Sequence, residues 1–122
     1  MTDMMELKIN FTIEAAHWMD SFEEGHPNRR LHGHSYIGTL VLEGPLGDDG
    51  MVMELEKVQA ALDPIVKEFD HHCLNDKPEM KHTSMEYLAY VLYQKCKEKI
   101  EHTRAIELQR PSLAMSVRYP SR

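Results

Sequence analysis

Three histidines occupy positions from which their imidazole rings could meet. His32 and His34 lie two residues apart at the start of an extended apolar run, so both side chains leave the same face of a strand. His17 ends the preceding alternating run, and an antiparallel return of the chain would bring it beside the pair. Three neutral imidazoles around one ion, with a fourth position open, form the catalytic type of Zn²⁺ site. The spacing therefore indicates a metal centre, although the pair alone is also compatible with two solvated loop histidines.

A second polar cluster, Asp70-His71-His72, follows a helical pattern. A carboxylate next to an imidazole fixes the tautomer of the ring and raises its basicity, which suits proton transfer near neutral pH. The alternative is structural, because histidines in the last turn of a helix complement the helix dipole. Asp70 and His71 are therefore candidates for general acid and base chemistry.

Alternating apolar residues predict the strands that position these clusters. The period of two runs from Leu7 to Ala15, a second strand is expected from Ser35 to Leu42, and a closing hairpin is expected from Ile106 to Tyr119 around Arg110. Residues 18 to 33 lack a period and contain Gly25 and Pro27. They predict a loop long enough to suspect a function.

Two helices are predicted between the strand pairs. The first presents an apolar face from Leu55 to Phe69, and Pro64 is expected to bend or divide it. The second begins at a capping-box spacing, with Thr83 and Glu86 as the reciprocal pair, and continues as an apolar stripe to Ile100.

The resulting order ββααββ predicts a single α+β domain over residues 1–122, with a four-stranded antiparallel sheet and both helices on one face. A sheet this small leaves unpaired edges, which copies of the chain could bury by closing into a ring. We therefore expect a homo-oligomer.

Composition excludes several classes of protein. Fourteen basic and twenty acidic side chains give a net charge of −6, which argues against binding to nucleic acid or to an anionic membrane surface. No apolar run is long enough to span a bilayer, and no leader pattern is seen. The two cysteines, Cys73 and Cys96, fit a reducing compartment. The expected location is the cytoplasm.

Taken together and in this order, the motifs resemble the 6-pyruvoyltetrahydropterin synthases and the similar 6-carboxytetrahydropterin synthases of queuosine biosynthesis. The matching segments are EAAHWM (Glu14–Met19), RLHGHSY (Arg30–Tyr36), GMVMELEKV (Gly50–Val58), FDHHCLND (Phe69–Asp76) and TSMEYLA (Thr83–Ala89). The resemblance implies the tunnelling fold (T-fold), an oligomeric barrel, expected to be a hexamer, with active sites between subunits.

The same resemblance implies a reaction and a set of residues. The family binds Zn²⁺ through three histidines, which correspond to His17, His32 and His34, and eliminates triphosphate from dihydroneopterin triphosphate. One class goes on to cleave the side chain, releasing acetaldehyde. Asp70 and His71 correspond to the family's proton-transfer pair. The pterin pocket lies near the helix start, which makes Ser84 and Glu86 candidate substrate contacts.

Two positions depart from the family pattern. Asn28 stands where the family has a catalytic cysteine, and its amide can orient a substrate oxygen but has no group that titrates near pH 7. Cys73 could supply a thiol instead, although free cysteines are most often packing residues. Arg110 stands where the family has a glutamate that accepts hydrogen bonds from the pterin, and a guanidinium only donates. Glu107, three residues away on a strand, is expected on the opposite face.

The leading hypothesis from the sequence is a zinc-dependent lyase of this family. Asn28 and Arg110 motivate an alternative, a divergent paralogue that acts on another anionic substrate. A third interpretation is an oligomer that binds zinc or a ligand without catalysis.

Overall fold

The computed structural model describes residues 3–122, in which five strands and two helices follow one another as ββαβαββ. Their bounds are β1 (Met4–His17), β2 (His32–Pro45), α1 (Leu55–Lys67), β3 (His72–Cys73), α2 (Met85–Lys99), β4 (Thr103–Arg110) and β5 (Met115–Tyr119). Both first strands are longer than their apolar cores predict, because the polar residues at their ends continue the same ladder.

The strands form one sheet in the order β3-β1-β2-β4-β5. The α+β class is confirmed, but the predicted four-stranded, fully antiparallel sheet is wrong. The additional strand β3 runs parallel to β1 through the pairs Ala15 with His72 and Ala16 with Cys73. Two residues are too few to show a period in the sequence. They become a strand because the chain leaving α1 passes along the edge of β1, where the N–H of His71 donates to the carbonyl of Glu14 at 2.6 Å.

One face of the sheet carries the core, and both helices pack on it. Alternate residues of the three long strands are buried there with the apolar faces of the helices, namely Ile9, Ile13 and Ala15 of β1, Tyr36, Leu40 and Leu42 of β2, and Ile106 and Leu108 of β4. We call this the helix face. The opposite face, the open face, is polar: Thr39 donates to Asn10 at 2.9 Å, and Glu107 pairs with Lys8 and Arg118.

The helices differ in three details from the sequence prediction. Pro64 does not divide α1, which continues to Lys67. Leu55, predicted on the buried face, is 55% exposed. The side chain that caps α2 is Ser84, whose hydroxyl accepts from the N–H of Tyr87 at 3.2 Å. Thr83 is therefore not the capping residue. Glu86, the second residue of α2, is exposed.

The outer edges of the sheet are largely open. Within residues 3–122, β1 pairs on its outer side only with the two residues of β3, and β5 pairs only with β4. In the same range no helix is both long and apolar enough to cross a membrane.

Asn75, just after β3, fastens the chain beyond the end of β1. Its side-chain oxygen accepts from the N–H of Trp18 at 3.0 Å, and its amide donates to the carbonyl of Trp18, also at 3.0 Å. The side chain thus takes the place of a strand partner immediately after His17. It fixes the direction in which the chain leaves the sheet.

Replacing Asn75 by alanine removes both hydrogen bonds to Trp18 and is expected to lower the free energy of unfolding by about 1–2 kcal/mol. Urea unfolding measures the change. Asn10→Ala is the matched control, since Asn10 is exposed and makes one side-chain bond to Thr39, so its cost should stay below about 1 kcal/mol. Equal losses in the two variants would contradict the fastening role of Asn75.

Candidate functional site

The register of β1 and β2 brings three histidines together at one end of the helix face. His17 lies directly opposite His32, and Ala15 lies opposite His34, so His34 is diagonal to His17. The Nε2 atoms of His17 and His32 are 3.0 Å apart, and one ring nitrogen from each of the three residues lies within 4.8 Å of the others. The cluster is a possible metal site, with His17 buried and the other two half-buried.

Hydrogen bonds to the Nδ1 atoms orient two of these rings. His17 donates from Nδ1 to the carbonyl of Thr83 at 2.7 Å, and His32 donates from Nδ1 to the carbonyl of Arg30 at 2.6 Å. Each ring then presents the Nε2 lone pair to the other. Two lone pairs at this distance repel, whereas ligands at 2.0–2.1 Å in a tetrahedral site lie about 3.3 Å apart. The donor set therefore fits a metal ion, and backbone carbonyls are the usual partners of metal-bound histidines.

The electrostatics of the cluster favour neutral rings. Burial lowers the pKa of His17, although its hydrogen bond to Thr83 acts in the opposite direction, and the charges of His32 and Arg110 lower it further. Burial, followed by the charges of Arg110, His17 and His32, lowers the pKa of His34 from 6.5 to about 4. Neutral imidazole is the form that binds metal. At neutral pH the rings of His17 and His34 are therefore ready to coordinate a metal ion without first losing a proton.

The Asp70–His71 pair is anchored to the edge of β1. Asp70 accepts the N–H of Glu14 at 2.8 Å through one oxygen and the Nδ1–H of His71 at 2.9 Å through the other. The Glu14 N–H, together with the neighbouring histidines, holds the pKa of Asp70 below its usual value. His71 has a left-handed backbone with φ of 61°, which turns its largely exposed ring outward. The Nε2 of His71 is then free to exchange a proton.

A cleft of about 480 Å³ lies beside the ends of β1 and β2 and the segment that carries Asp70 and His71. His71, His72 and Cys73 line it from that segment, and Glu14 and Ser35 line it from the open face of the two strands. His34 is the one member of the three-histidine cluster among its lining residues, whereas His17 and His32 lie outside it.

The remaining candidate residues are placed less directly. Asn28 lies half-buried in the loop between β1 and β2, where its backbone N–H donates to His26 and its carbonyl accepts from Met19. Within residues 3–122 its side chain makes no hydrogen bond to the three histidines. Ser84 caps α2, and Glu86 is exposed on its first turn. The structure does not bring Ser84 or Glu86 into the cleft that His34 and His71 share.

Arg110 ends β4 on the helix face, near the three histidines. Ile37 pairs with Gln109, and continuing that register by one residue places Arg110 beside Tyr36. Its charge lowers the pKa values of His17 and His34, although burial is the larger cause in both. Burial raises the pKa of Tyr36 to about 12, and Arg110 acts against that rise.

Sequence reasoning missed two residues that position the site, Thr83 and Asn75. Thr83 is buried, its carbonyl accepts from His17, and its hydroxyl donates to the carbonyl of Trp18 at 3.2 Å. The capping-box spacing gave Thr83 another role, and no local pattern signals a contact between residues 66 positions apart. The burial of Thr83 just before the helix cap would have indicated a tertiary contact, but that burial is known only from the structure.

Comparison with known proteins identifies the family. The family model described as 6-pyruvoyl tetrahydropterin synthase matches residues 6–115. A 6-carboxy-5,6,7,8-tetrahydropterin synthase from Synechocystis sp. is 36% identical over 94 residues, covering 72% of this chain and 71% of that protein.

Solved structures agree on the fold. The 6-pyruvoyl tetrahydropterin synthase of Caenorhabditis elegans superimposes with a TM-score of 0.85 at 20% identity, covering 97% of this chain and 96% of that chain. A Plasmodium vivax 6-pyruvoyltetrahydropterin synthase, in which a catalytic glutamate is replaced by alanine, gives 0.72 at 19% identity, covering 95% and 96%. The predicted T-fold is confirmed.

Single replacement of His17, His32 or His34 by alanine is expected to abolish the thermal stabilisation that added Zn²⁺ gives, because binding to the native state stabilises it. Losing a hydrogen-bond partner of a ligand costs roughly 10–100-fold in metal affinity, so loss of a ligand should exceed that. Metal content and melting temperature are the measurements. His82→Ala, at an exposed histidine, is the control. Metal content well below about one ion per chain in the parent protein, unchanged by His32→Ala, would rule out this site.

Proposed function

Because the chain belongs to the 6-pyruvoyl tetrahydropterin synthase family, we propose that it is a zinc-dependent lyase that eliminates triphosphate from dihydroneopterin triphosphate. In this proposal His17, His32 and His34 hold Zn²⁺. The observation that carries it is the three-histidine cluster, in which one ring nitrogen from each residue lies within 4.8 Å of the others.

The proposed metal centre is prepared by the chain itself. The carbonyls of Thr83 and Arg30 accept from the Nδ1 atoms of His17 and His32 and so direct both Nε2 lone pairs inward. When bound, the ion would supply Lewis-acid polarisation of substrate oxygens, which acidifies the neighbouring C–H bonds. His34 is half-buried, so the site stays accessible on that side, where a substrate oxygen can approach.

The proposed proton transfer uses Nε2 of His71. Asp70 fixes the proton on Nδ1, so Nε2 is the basic atom, and the carboxylate stabilises the imidazolium that forms when Nε2 takes a proton. Two hydrogen bonds hold this pair against β1: the N–H of Glu14 donates to the carboxylate of Asp70, and the N–H of His71 donates to the carbonyl of Glu14. His71 can then return the proton to a neighbouring atom of the same bound molecule, as eliminations and tautomerisations require.

Asn28 is proposed to orient a substrate oxygen, and it is not proposed as a base. The Plasmodium vivax relative is described as having a catalytic glutamate, whereas Asn28 carries no titratable group. Cys73 lines the same cleft as His71, whereas Cys96 is buried, so Cys73 is the better placed of the two thiols to act as a base. Ser84 and Glu86 stay proposed substrate contacts.

A homo-oligomer, by resemblance a hexamer in the cytoplasm built from single-domain subunits, forms part of the proposal. The open edges of β1 and β5 support it, since unpaired strand edges favour pairing with another copy. Exposed apolar residues support it as well, because Met5, Leu46, Met51 and Leu55 line a groove of about 330 Å³ beside the edge of β1.

The second candidate function is a divergent paralogue that acts on another anionic substrate. Arg110 favours it, because a guanidinium cannot accept hydrogen bonds from a pterin ring. Binding without catalysis is less well supported, since Asp70 and His71 keep the geometry of a proton-transfer pair.

Replacing His71 by asparagine is expected to reduce turnover of dihydroneopterin triphosphate by roughly 10²- to 10⁴-fold, the usual contribution of a general acid or base. Asparagine tolerates the left-handed backbone of His71, so the fold should be kept. Mass spectrometry of triphosphate and pterin products from the zinc-loaded protein is the measurement.

His82→Asn is the control, since His82 is exposed and does not line the cleft beside His71, and this variant should leave turnover nearly unchanged. Activity that appears only in Asn28→Cys would mean that the thiol is the missing group. No turnover in the parent protein or in that variant would exclude the pterin substrate and favour the second candidate.

Leu55→Lys is expected to weaken the oligomer, because it places a charge in the apolar groove beside β1. Light scattering coupled to gel filtration gives the mass, and circular dichroism tests folding. Leu31→Lys changes an even more exposed leucine outside that groove and should leave the mass unaltered. A monomeric parent protein would refute the assembly.

A further inference from the structure

Arg110 carries the only buried side-chain nitrogen or oxygen without a hydrogen-bond partner in residues 3–122. The unpartnered atom is its Nε. Buried polar atoms are paired in the great majority of native proteins, and an unpaired one often marks the place of a bound water, ion or ligand. No carboxylate in the same range forms an ion pair with Arg110.

The position of Arg110 places its guanidinium within reach of the three-histidine cluster. Tyr36 is its neighbour across the strands, and His34, two residues earlier on β2, is the diagonal neighbour on the same face. Opposite Cβ atoms in a sheet lie about 5 Å apart and diagonal ones about 7–8 Å, which a long side chain can span. The effect of the Arg110 charge on both His17 and His34 agrees with this placement.

The nearest candidate to neutralise Arg110 within its own strand is Glu107, but it lies on the wrong face. Glu107 is held on the open face by Arg118 at 2.8 Å and by Lys8 at 3.6 Å. The groups whose pKa values respond to the charge of Arg110 are two imidazoles and a phenol, and these carry no negative charge at neutral pH. The buried Nε–H of Arg110 therefore has no acceptor among the described residues, and an added oxyanion would supply one.

We propose that Arg110 is a specificity-determining residue that binds an oxyanion of the substrate, a carboxylate or a phosphate, next to the three-histidine cluster. The planar guanidinium offers paired N–H donors that match the two oxygens of such a group. This inference rests on the proposed function for the location of the substrate. It defines the substrate class as a small molecule whose anionic group lies within a few bonds of the oxygen that reaches the cluster.

The test uses the full chain, freed of metal by chelation, in thermal unfolding with inorganic phosphate or acetate. Either anion should raise the melting temperature of the parent protein, because a ligand of the native state stabilises it. Arg110→Met should weaken anion binding roughly tenfold or more, since charged hydrogen bonds are lost. Arg110→Lys, which keeps the charge but not the fork, should bind with intermediate strength.

A further readout separates binding from a structural role. Without anion, Arg110→Met should melt at a higher temperature than the parent protein, because an apolar side chain replaces an uncompensated charge. With saturating anion the order should reverse. The control is Arg104→Met on the same strand, where Arg104 pairs with Glu43 at 3.8 Å, and its response to anions should match that of the parent protein.

Three results would overturn the proposal: no stabilisation of the parent protein by either anion, equal stabilisation of Arg110→Met, or dissociation of the oligomer in Arg110→Met. The last would mean that a second copy of the chain supplies a carboxylate to Arg110. The stronger of the two anions identifies the group as phosphate or carboxylate. Zinc content of the parent protein separates the two ideas, because a parent protein that binds no zinc refutes the proposed function while the anion result in metal-free protein still stands.

Discussion

The register between β1 and β2 is the constraint on which the site depends. His17 meets His32 because the two strands pair from Met4 with Pro45 through to the last residue of β1. A shift of one residue would move every side chain of a strand to the other face, taking His17 into the open face and exposing Ile9 and Ile13. The hydrophobic core therefore fixes the register. The histidines inherit their positions from residues that have no chemical role.

Packing alone would not orient the imidazoles. Hydrogen bonds from the segments between the strands and helices orient them. The carbonyl of Thr83, just before α2, holds His17, while Asn75 and the hydroxyl of Thr83 both bond to Trp18, which follows His17. These partners come from the segment between β3 and α2. The edge of β1 also holds Asp70 through the N–H of Glu14. One strand therefore positions the three-histidine cluster on its face and the Asp70–His71 pair on its edge.

The sequence predicted those parts that depend on local pattern. Alternation placed His17 on the buried face of β1, and helical spacing located both helices, because burial imposes a period on the chain. It could not predict β3, which exists only because residues 72 and 73 pass along an edge formed by β1. The sequence prediction also gave the capping role to Thr83, whereas Ser84 caps the helix. Both side chains can cap a helix, and only the tertiary contact of Thr83 with His17 decides between them.

The two departures from the family pattern have different physical weight. Asn28 puts a neutral amide in the loop where the family has a titratable group. This changes the capacity of the site for proton transfer but has little effect on the charge of the ligands that it can bind. Arg110 changes the sign of the charge at its position from that of a glutamate. A divalent ion in the cluster and the guanidinium would then concentrate positive charge on one end of a chain whose net charge is −6. Such a site attracts an anion over short distances and repels a second cation. In the proposed mechanism, His71 requires only that the reacting carbon lie near Nε2, so the same pair of residues would serve a substrate that Arg110, and not a carboxylate, has selected.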